Sequence, residues 1–366
     1  MNMVDENTFM RQCLQLAQNG AGKVNPNPMV GCVIVRNGEI VGTGFHKNYG
    51  GPHAEIFALN RAGKKASSAI LYVNLEPCAH FGKTPPCTGA IIKAGISQVV
   101  IASKDPNPLV RGKGIQQLRN AGIRVKVGIL QKEAEALNEK FIKFMKTGLP
   151  FVGIKLAQTL DGKIADVSGR SKWITSKAAR IEVHRLRSNF DAVLVGANTV
   201  LHDNPELTVR FVQARNPIRV VVDGRLSLST ARKIFHTSVA QTWLLTSVRA
   251  VKRNIEKVQK LVSQGVRVLP ISSDFNIDAK TILRTLAAEG ISSVLIEGGA
   301  VTINAFITGF HTDTLFLFVA PKVLGGGLNG FILKTPKLLR KPIDVIVTKT
   351  SLLGKDILIE AKFIHN

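Results

Sequence analysis

The 366-residue chain contains only four cysteines: Cys13, Cys32, Cys78 and Cys87. A disulfide scaffold of this length would need more, so we expect reduced thiols. Long apolar runs are also missing, since none approaches the ~20 residues that span a bilayer. The N-terminal "MNMVDENTFMRQ" lacks the basic and then apolar pattern of a secretory signal. These absences argue against a disulfide-rich secreted domain and a helical membrane protein, and they predict a soluble cytoplasmic protein.

Acidic and aromatic residues are scarce. The chain has 49 Lys and Arg residues against 25 Asp and Glu residues, a formal net charge of +24, and its aromatic content is 6%. Such an excess favours a polyanionic partner. The basic residues are nevertheless spread over both halves, with no solid block and no stripe interleaved with aromatics. This distribution favours small phosphorylated substrates over nucleic acid as the partners of the chain. The sequence is also compatible with a homo-oligomer.

The chain length predicts two domains, and a Gly and a Pro that end a predicted helix mark the boundary between them. From Asn7 to Asn19, apolar residues recur at helical spacing, which predicts a helix. Two predicted β-strands follow, joined by Asn37-Gly38, a pair typical of a tight hairpin turn. Helical and β runs then alternate as far as a long predicted helix, Gln131–Met145. The stretch "KTGLP" at 146–150 ends it, and the alternation resumes beyond. The pattern predicts an α/β protein with domains at 1–147 and 148–366.

The first motif with chemical meaning joins "HAE" to "PCAHFGKTPPC". A catalytic zinc takes three protein ligands and leaves one position for water, and His53, Cys78 and Cys87 supply such a set. Glu55, two residues beyond His53, is placed to move protons: it could take one from water and pass one to departing ammonia. Taken one at a time, the histidine and the cysteines could be ordinary core residues. Together, they predict a zinc-dependent deaminase site.

The spacing of the cysteines departs from the nucleobase-deaminase signature, H-x-E followed by P-C-x-x-C. Eight residues separate Cys78 from Cys87, and this insert carries His80 and Lys83, which could reach a substrate's phosphate or ring.

The second half contains three further segments that could form a site. Asp161-Gly162 in "KLAQTLDGKIA" marks a turn. Arg180, His184 and Arg187 share one helix face, which fits either a phosphate site or a solvated basic face. In "SVLIEGGAVTINAFI", glycines follow Glu297 where a strand should become a helix, as at a dinucleotide phosphate or an ordinary tight turn. A G-x-G-x-x-G fingerprint is absent.

The motifs "HAE" and "PCAHFGKTPPC", preceded by "NPNPMVG" at Asn25–Gly31, resemble the deaminase half of the bifunctional riboflavin-biosynthesis deaminase-reductases. The resemblance implies a cytidine-deaminase-like three-layer α/β/α domain. It also implies Zn2+ bound by the two cysteines and the histidine, with Glu55 as the catalytic residue. The implied substrate contacts are Asn27, His80 and Lys83.

The three later segments resemble the reductase half of the same family, a dihydrofolate-reductase-like α/β domain that uses NADPH. The implied cofactor contacts are Ala157, Trp173, Thr199, Asp203 and Gly299. The implied substrate contacts are Ser171, Arg187, Leu207, Arg210 and Glu297.

The function implied by this resemblance has two consecutive steps. Zinc-dependent hydrolysis deaminates 2,5-diamino-6-(5-phosphoribosylamino)pyrimidin-4-one, and NADPH then reduces the ribosyl group of 5-amino-6-(5-phosphoribosylamino)uracil to ribityl. Two other classes stay open from the residues alone. A nucleic-acid-editing zinc deaminase is favoured by the net charge and opposed by the cysteine spacing. A non-catalytic zinc-binding module would make Glu55 dispensable except for stability.

Overall fold

The chain forms two compact units, 1–148 and 149–366. The computed structural model describes residues 6–81, 85–108, 110–332 and 342–364. Each unit has a mixed sheet of its own with helices on both faces. Within these ranges no helix has the length and apolar character needed to cross a membrane.

The first unit is a five-stranded sheet between two helical layers. Its elements are α1 (Glu6–Gln18), β1 (Gly31–Arg36), β2 (Glu39–Phe45), α2 (Ala54–Ala62), β3 (Ile70–Leu75), α3 (Cys87–Lys93), β4 (Gln98–Ser103), α4 (Lys113–Asn120), β5 (Arg124–Val127), α5 (Gln131–Leu137) and α6 (Glu139–Thr147). The strand order is β2-β1-β3-β4-β5. One face packs on α1 and α5, and the other on α2, α3 and α4. The predicted three-layer α/β/α arrangement is confirmed.

The predicted hairpin between β1 and β2 is also present. Asn37 and Gly38 have φ values of 52° and 84°, as a turn with both central residues in the left-handed region requires. The strands pair antiparallel from Gly31 opposite Phe45 to Arg36 opposite Glu39. Residues 46–53 connect the hairpin to the start of α2.

The prediction of a single helix over Gln131–Met145 is wrong in one respect. The structure has two helices there, α5 and α6, separated at Asn138. Asn138 is 4% exposed, and its side chain pairs with the backbone of Met29 in both directions. Its Oδ1 accepts from the Met29 N–H at 2.8 Å, and its Nδ2 donates to the Met29 carbonyl at 2.9 Å. This long-range pairing holds Asn138 at φ −107° and ψ 22°, outside helical geometry.

The second unit is built on a nine-stranded sheet. Its elements are β6 (Phe151–Thr159), β7 (Lys163–Ala165), α7 (Lys177–Ser188), β8 (Ala192–Gly196), α8 (Ala197–Asp203), β9 (Ile218–Val222), β10 (Thr242–Ser247), α9 (Val248–Arg253), α10 (Ile255–Ser263), β11 (Arg267–Ser272), α11 (Ala279–Ala288), β12 (Ser293–Ile296), α12 (Ala300–Thr308), β13 (Thr314–Ala320), β14 (Leu328–Asn329), β15 (Val345–Leu353) and β16 (Asp356–Phe363). The strand order is β11-β10-β9-β8-β12-β6-β13-β16-β15, and β14 pairs with β7 in a small separate sheet.

Seven neighbouring strands of this sheet, from β11 to β13, run parallel to one another. Separate apolar clusters cover its two faces, as expected for parallel strands buried on both sides. The carboxyl ends of parallel strands meet at one edge of a sheet, where open α/β sheets bind ligands. The loops that follow β12, β8 and β9 are therefore brought side by side.

Candidate functional site

Three potential metal ligands meet where α2 and α3 begin. His53 is the N-cap of α2, Cys87 is the first residue of α3, and Cys78 lies in the loop after β3. The His53 Nδ1 atom lies 3.2 Å from the Cys87 Sγ and 3.5 Å from the Cys78 Sγ. All three ligand atoms lie within 4.8 Å of one another, and the described ranges contain no other such group.

The donor set of this group fits zinc. One imidazole and two thiols are borderline-soft ligands, and the group has no fourth protein ligand among the described residues, which leaves room for water. Hydrogen bonds from Cys87 and from His53 hold the pKa of the Cys78 thiol well below its usual range. A lowered pKa favours the thiolate form, which is the form that binds metals.

Glu55 lies beside this group in the first turn of α2 and is 3% exposed. Burial raises the pKa of its carboxyl group, and the neighbouring His53 partly opposes that increase. A buried carboxyl group whose pKa is moved toward neutrality can take up and return a proton at physiological pH.

His53 lies beside a second histidine that the motif analysis missed. His46 is buried and its ring lies edge-on to that of His53, with centroids 5.4 Å apart. Its Nδ1 lies 3.1 Å from the carbonyl of Pro52, and its Nε2 lies 3.2 Å from the Asn27 amide nitrogen. The carbonyl can only accept, so Nδ1 carries the proton and Nε2 accepts from Asn27. Asn27, a predicted substrate contact, therefore holds the ring of His46, and His46 in turn donates to the carbonyl of Pro52, the residue before His53.

The remaining predicted residues of this site lie in the long insert between the cysteines. His80 is exposed at its beginning. Lys83 lies outside the described residues.

A buried carboxylate organises the loops near Cys78. Glu76 is 4% exposed and accepts hydrogen bonds from three backbone N–H groups, at 3.0 to 3.3 Å. Gly114 is packed so closely here that a Cβ atom would lie 2.1 Å from the Pro77 carbonyl oxygen. The three N–H donors belong to Asp105, Gly112 and Ile115.

In the second unit, Arg187 and Glu297 form a nearly buried ion pair. Their side chains are 12% and 6% exposed, and two bonds join them: Nε to Oε1 at 2.6 Å and Nη2 to Oε2 at 2.9 Å. The Arg187 Nη1 atom also donates to the Thr208 carbonyl at 3.0 Å. Burial would raise the pKa of Glu297, but Arg187 outweighs it and the pKa is lowered. The two predicted substrate contacts hold each other in place.

The predicted basic face of α7 is not a uniform solvated surface. Arg180 lies over the exposed ring of Trp173, with its Cζ atom 4.3 Å from the centroid. His184 is buried, and its Nδ1 accepts the backbone N–H of Arg210 at 2.8 Å. Burial and then the charges of Arg187 and Arg210 lower the pKa of His184 to about 4. Neutral His184 can therefore position the segment that carries Arg210.

Several predicted cofactor contacts lie in or just after neighbouring strands of the sheet. Thr199 in α8 accepts the backbone N–H of Gly299, the N-cap of α12, at 3.0 Å. Ser171 donates to Asp203 at 3.1 Å. Ala157 lies in β6, which pairs with β12. Leu207, a predicted substrate contact, is buried in a left-handed backbone conformation with φ 53°.

Lys155 is a candidate site residue that the motif analysis overlooked. It lies in β6 two residues before Ala157, and its Nζ lies 5.9 Å from the Phe318 ring centroid. Burial lowers the pKa of Lys155, and the charge of Glu297 opposes this while that of Arg187 adds to it. The sequence signal that could have identified it is a lysine inside the apolar run "FVGIKLA", because lysine is rarely buried without a partner.

Comparison with known families decides the relationship of this chain. The cytidine and deoxycytidylate deaminase zinc-binding region matches residues 3–103, and the RibD C-terminal domain matches residues 150–359. The riboflavin biosynthesis protein RibD of Aquifex aeolicus is 45% identical over 357 residues, 97% of this chain and 98% of that protein. The chain belongs to the RibD family. The RibD protein of Escherichia coli is 40% identical over 335 residues, 88% of this chain and 89% of its own length.

Solved RibD structures have the same overall fold. One form of Acinetobacter baumannii RibD matches with a TM-score of 0.89 at 38% identity, covering 98% of both chains. A Thermotoga maritima protein described as a diaminohydroxyphosphoribosylaminopyrimidine deaminase and 5-amino-6-(5-phosphoribosylamino)uracil reductase matches with a TM-score of 0.87 at 40% identity and the same coverage. The predicted RibD family and the predicted fold classes of both halves are confirmed.

Proposed function

We propose that this RibD-family chain catalyses two consecutive reactions of riboflavin biosynthesis. Residues 1–147 are the zinc-dependent pyrimidine deaminase domain, and residues 148–366 are the NADPH-dependent reductase domain. The observation that carries the proposal is the convergence of His53, Cys78 and Cys87 beside buried Glu55. The substrates are small phosphorylated pyrimidines, and the unpaired state of all four cysteines supports a cytoplasmic location.

In the deaminase reaction, water replaces the amino group at C2 of 2,5-diamino-6-(5-phosphoribosylamino)pyrimidin-4-one, and ammonia leaves. His53, Cys78 and Cys87 would hold a zinc ion, and its Lewis acidity would make water nucleophilic at neutral pH. Glu55 takes a proton from the attacking water and returns it to the departing nitrogen, and its raised pKa suits both steps. Asn27, His80 and Lys83 contact the substrate.

In the reductase reaction, the C1′ carbon of the ring-opened ribosyl group accepts a hydride and the nitrogen bonded to it takes up a proton from water. The C1′=N double bond thereby becomes a single bond, and the ribityl chain forms. NADPH supplies that hydride when it is bound by Ala157, Trp173, Thr199, Asp203 and Gly299. The substrate is then contacted by the carboxylate of Glu297 and by the guanidinium groups of Arg187 and Arg210.

The electrostatics of the second site support this assignment. The Arg187–Glu297 pair keeps a carboxylate ionised at the sheet edge, with partly buried Lys155 as a further cation. Cations in a desolvated site bind phosphate and polar ring substituents more strongly than exposed ones do. The substrate contacts proposed here are Ser171, Arg187, Leu207, Arg210 and Glu297.

The test is a two-part assay on zinc-loaded protein. Ammonia release from the diaminopyrimidine and NADPH oxidation with the deaminated uracil are followed separately. We expect Glu55→Gln to keep its zinc and lose ammonia release by about 10²- to 10⁴-fold, because the variant cannot relay protons. NADPH oxidation in that variant should be unchanged.

Glu39→Gln, a change at an exposed hairpin position, is the matched control and should keep both activities. Full ammonia release by zinc-loaded Glu55→Gln would contradict the deaminase mechanism. Wild-type protein that releases ammonia without oxidising NADPH would contradict only the reductase half.

A further inference from the structure

One arginine is buried inside the parallel sheet of the second unit. Arg219 lies in β9, between β8 and β10, and its side chain is fully buried. Burial lowers the pKa of Arg219 to about 10, so it is still a cation at neutral pH. Among the described residues it forms no ion pair. A buried charge without a charged partner must be stabilised by hydrogen bonds, and the acceptors show what Arg219 holds.

Three backbone carbonyl groups are the acceptors. The Nη2 atom of Arg219 donates to the carbonyls of His236 and Ala240, at 2.8 and 2.6 Å. Its Nη1 atom donates to the carbonyl of Glu206 at 3.3 Å. A planar guanidinium group suits this arrangement, because its N–H groups point in fixed directions toward several acceptors at once. Arg219 thus joins the connection before β10 to the segment that follows α8.

The segment after α8 carries two of the proposed substrate contacts. We call residues 206–210 the substrate loop, because Leu207 and Arg210 belong to it. The loop lies outside the helices and strands, and Leu207 is 4% exposed with a φ of 53°. A branched side chain rarely adopts this left-handed conformation, so the surrounding contacts must hold it there.

Several side chains hold the backbone of the substrate loop. Asn216 accepts the N–H of Val209 at 2.6 Å, and its amide nitrogen donates to the Val239 carbonyl at 3.0 Å. Asn216 therefore ties the loop to the same connection before β10 that Arg219 contacts. Two side chains of α7 hold the loop as well, through the bonds described above. The loop conformation is thus determined by side chains from other parts of the unit.

The direction of the Arg210 side chain depends on this conformation. Arg210 is exposed, and its Nη1 atom donates to the Glu206 carboxylate at 2.6 Å and to the Thr208 hydroxyl at 2.8 Å. A shift of Glu206, whose carbonyl Arg219 holds, would move these acceptors and the guanidinium group with them. Hydrogen bonds to a ligand weaken steeply when their geometry is lost, so such a shift would reduce the affinity for substrate.

We propose that Arg219 is a positioning residue of the reductase site. It holds the substrate loop, through the Glu206 carbonyl, in the conformation that presents Leu207 and Arg210 to the phosphorylated uracil. The inference rests on the proposed reductase function and on the substrate contacts assigned there. Arg219 acts through the loop and does not touch the substrate, because its own side chain is fully buried.

Steady-state kinetics of NADPH oxidation by the full chain test this proposal. We expect Arg219→Met to raise the KM for the phosphorylated uracil by about 10- to 100-fold, because one or two substrate contacts are lost. The KM for NADPH and kcat should each stay within about threefold, because the substrate loop carries none of the proposed cofactor contacts. Asn216→Ala, which removes the acceptor of the Val209 N–H, should raise the KM for the uracil by about 10-fold.

Two further variants separate positioning from general stability. Arg219→Lys keeps a cation that reaches fewer acceptors at once, so its KM for the uracil should lie between those of the wild type and Arg219→Met. Val220→Ala is the matched control, because it shortens the next side chain of β9, which points to the other face of the sheet into an apolar cluster. It should lower the urea midpoint of unfolding and leave both KM values unchanged.

The outcomes separate this inference from the proposed function. Folded Arg219→Met protein with the wild-type KM for the uracil would overturn the role of Arg219 and leave the reductase activity standing. A parallel change of kcat and both KM values, repeated in Val220→Ala, would show a purely structural role and would also overturn it. If Arg219→Met does not fold, Arg219→Lys and Asn216→Ala decide by the same criteria. Wild-type protein that does not oxidise NADPH with the uracil would overturn the proposed function and this inference together.

Discussion

Breaking the Arg187–Glu297 pair should destabilise the second unit strongly. Arg187→Met leaves a carboxylate that is 6% exposed without its bidentate partner and leaves the Thr208 carbonyl without a donor. Removal of one partner from a buried pair costs about 3–5 kcal/mol, because the remaining charge is desolvated and uncompensated. Arg185→Met on the same helix is the matched control, since its pair with Glu182 is 62% and 28% exposed. That change should cost about 0–1 kcal/mol.

The pH dependence gives a second, sharper expectation. In the wild type the pKa of Glu297 is lowered below 4.5, so the pair's contribution is present above that value and is lost as the pH falls through the folded-state pKa. In Arg187→Met, burial should raise the pKa of Glu297 above its unfolded value, even with Lys155 nearby. Stability is then lost as the pH rises, so the variant's penalty should be largest near pH 8 and smaller near pH 5.

Tryptophan fluorescence in urea measures this penalty on the second unit alone, because the two tryptophans, Trp173 and Trp243, both lie in it. With a typical urea dependence, the midpoint should fall by an amount on the order of 2 M. Adding Glu297→Gln to Arg187→Met should restore part of the loss, since no unpaired charge remains. A penalty no larger than that of Arg185→Met, or one that is the same at pH 5 and pH 8, would refute the reasoning.

Two further predictions concern single residues. Gly114→Ala should lower the stability by about 1–3 kcal/mol, because its Cβ would lie 2.1 Å from the carbonyl oxygen of Pro77, the residue before Cys78. It should also weaken zinc binding, measured by competition with a chelator. Gly89→Ala in α3, which has open space around it, is the control, and equal zinc affinities of the two variants would contradict this expectation. The lowered pKa of His184, about 4, predicts that wild-type stability falls as the pH drops from 6.5 toward 4, because only the unfolded chain binds the proton there. His184→Asn should remove that part of the fluorescence-detected pH dependence, and an unchanged profile would show that His184 is not its source.

Much of the architecture follows from local patterns. The alternation of helical and β runs predicts the α/β class, and Asn37-Gly38 predicts the hairpin turn, because both depend on short-range sterics and periodicity. The division of α5 from α6 at Asn138 escaped prediction for a corresponding reason. Its cause is a pair of hydrogen bonds to Met29, more than a hundred residues away, and helical periodicity carries no trace of them.

The chemistry of the sites divides in the same way. By itself the sequence predicted the candidate zinc donors and their neighbour Glu55, because metal preference and proton transfer depend on residue type and short spacing. Only the tertiary structure decided which groups from separate elements lie together, such as His46 beside His53 and Lys155 near Glu297. The physical reason is that the order of strands in a parallel sheet sets which loops become neighbours, and that order comes from packing the whole chain.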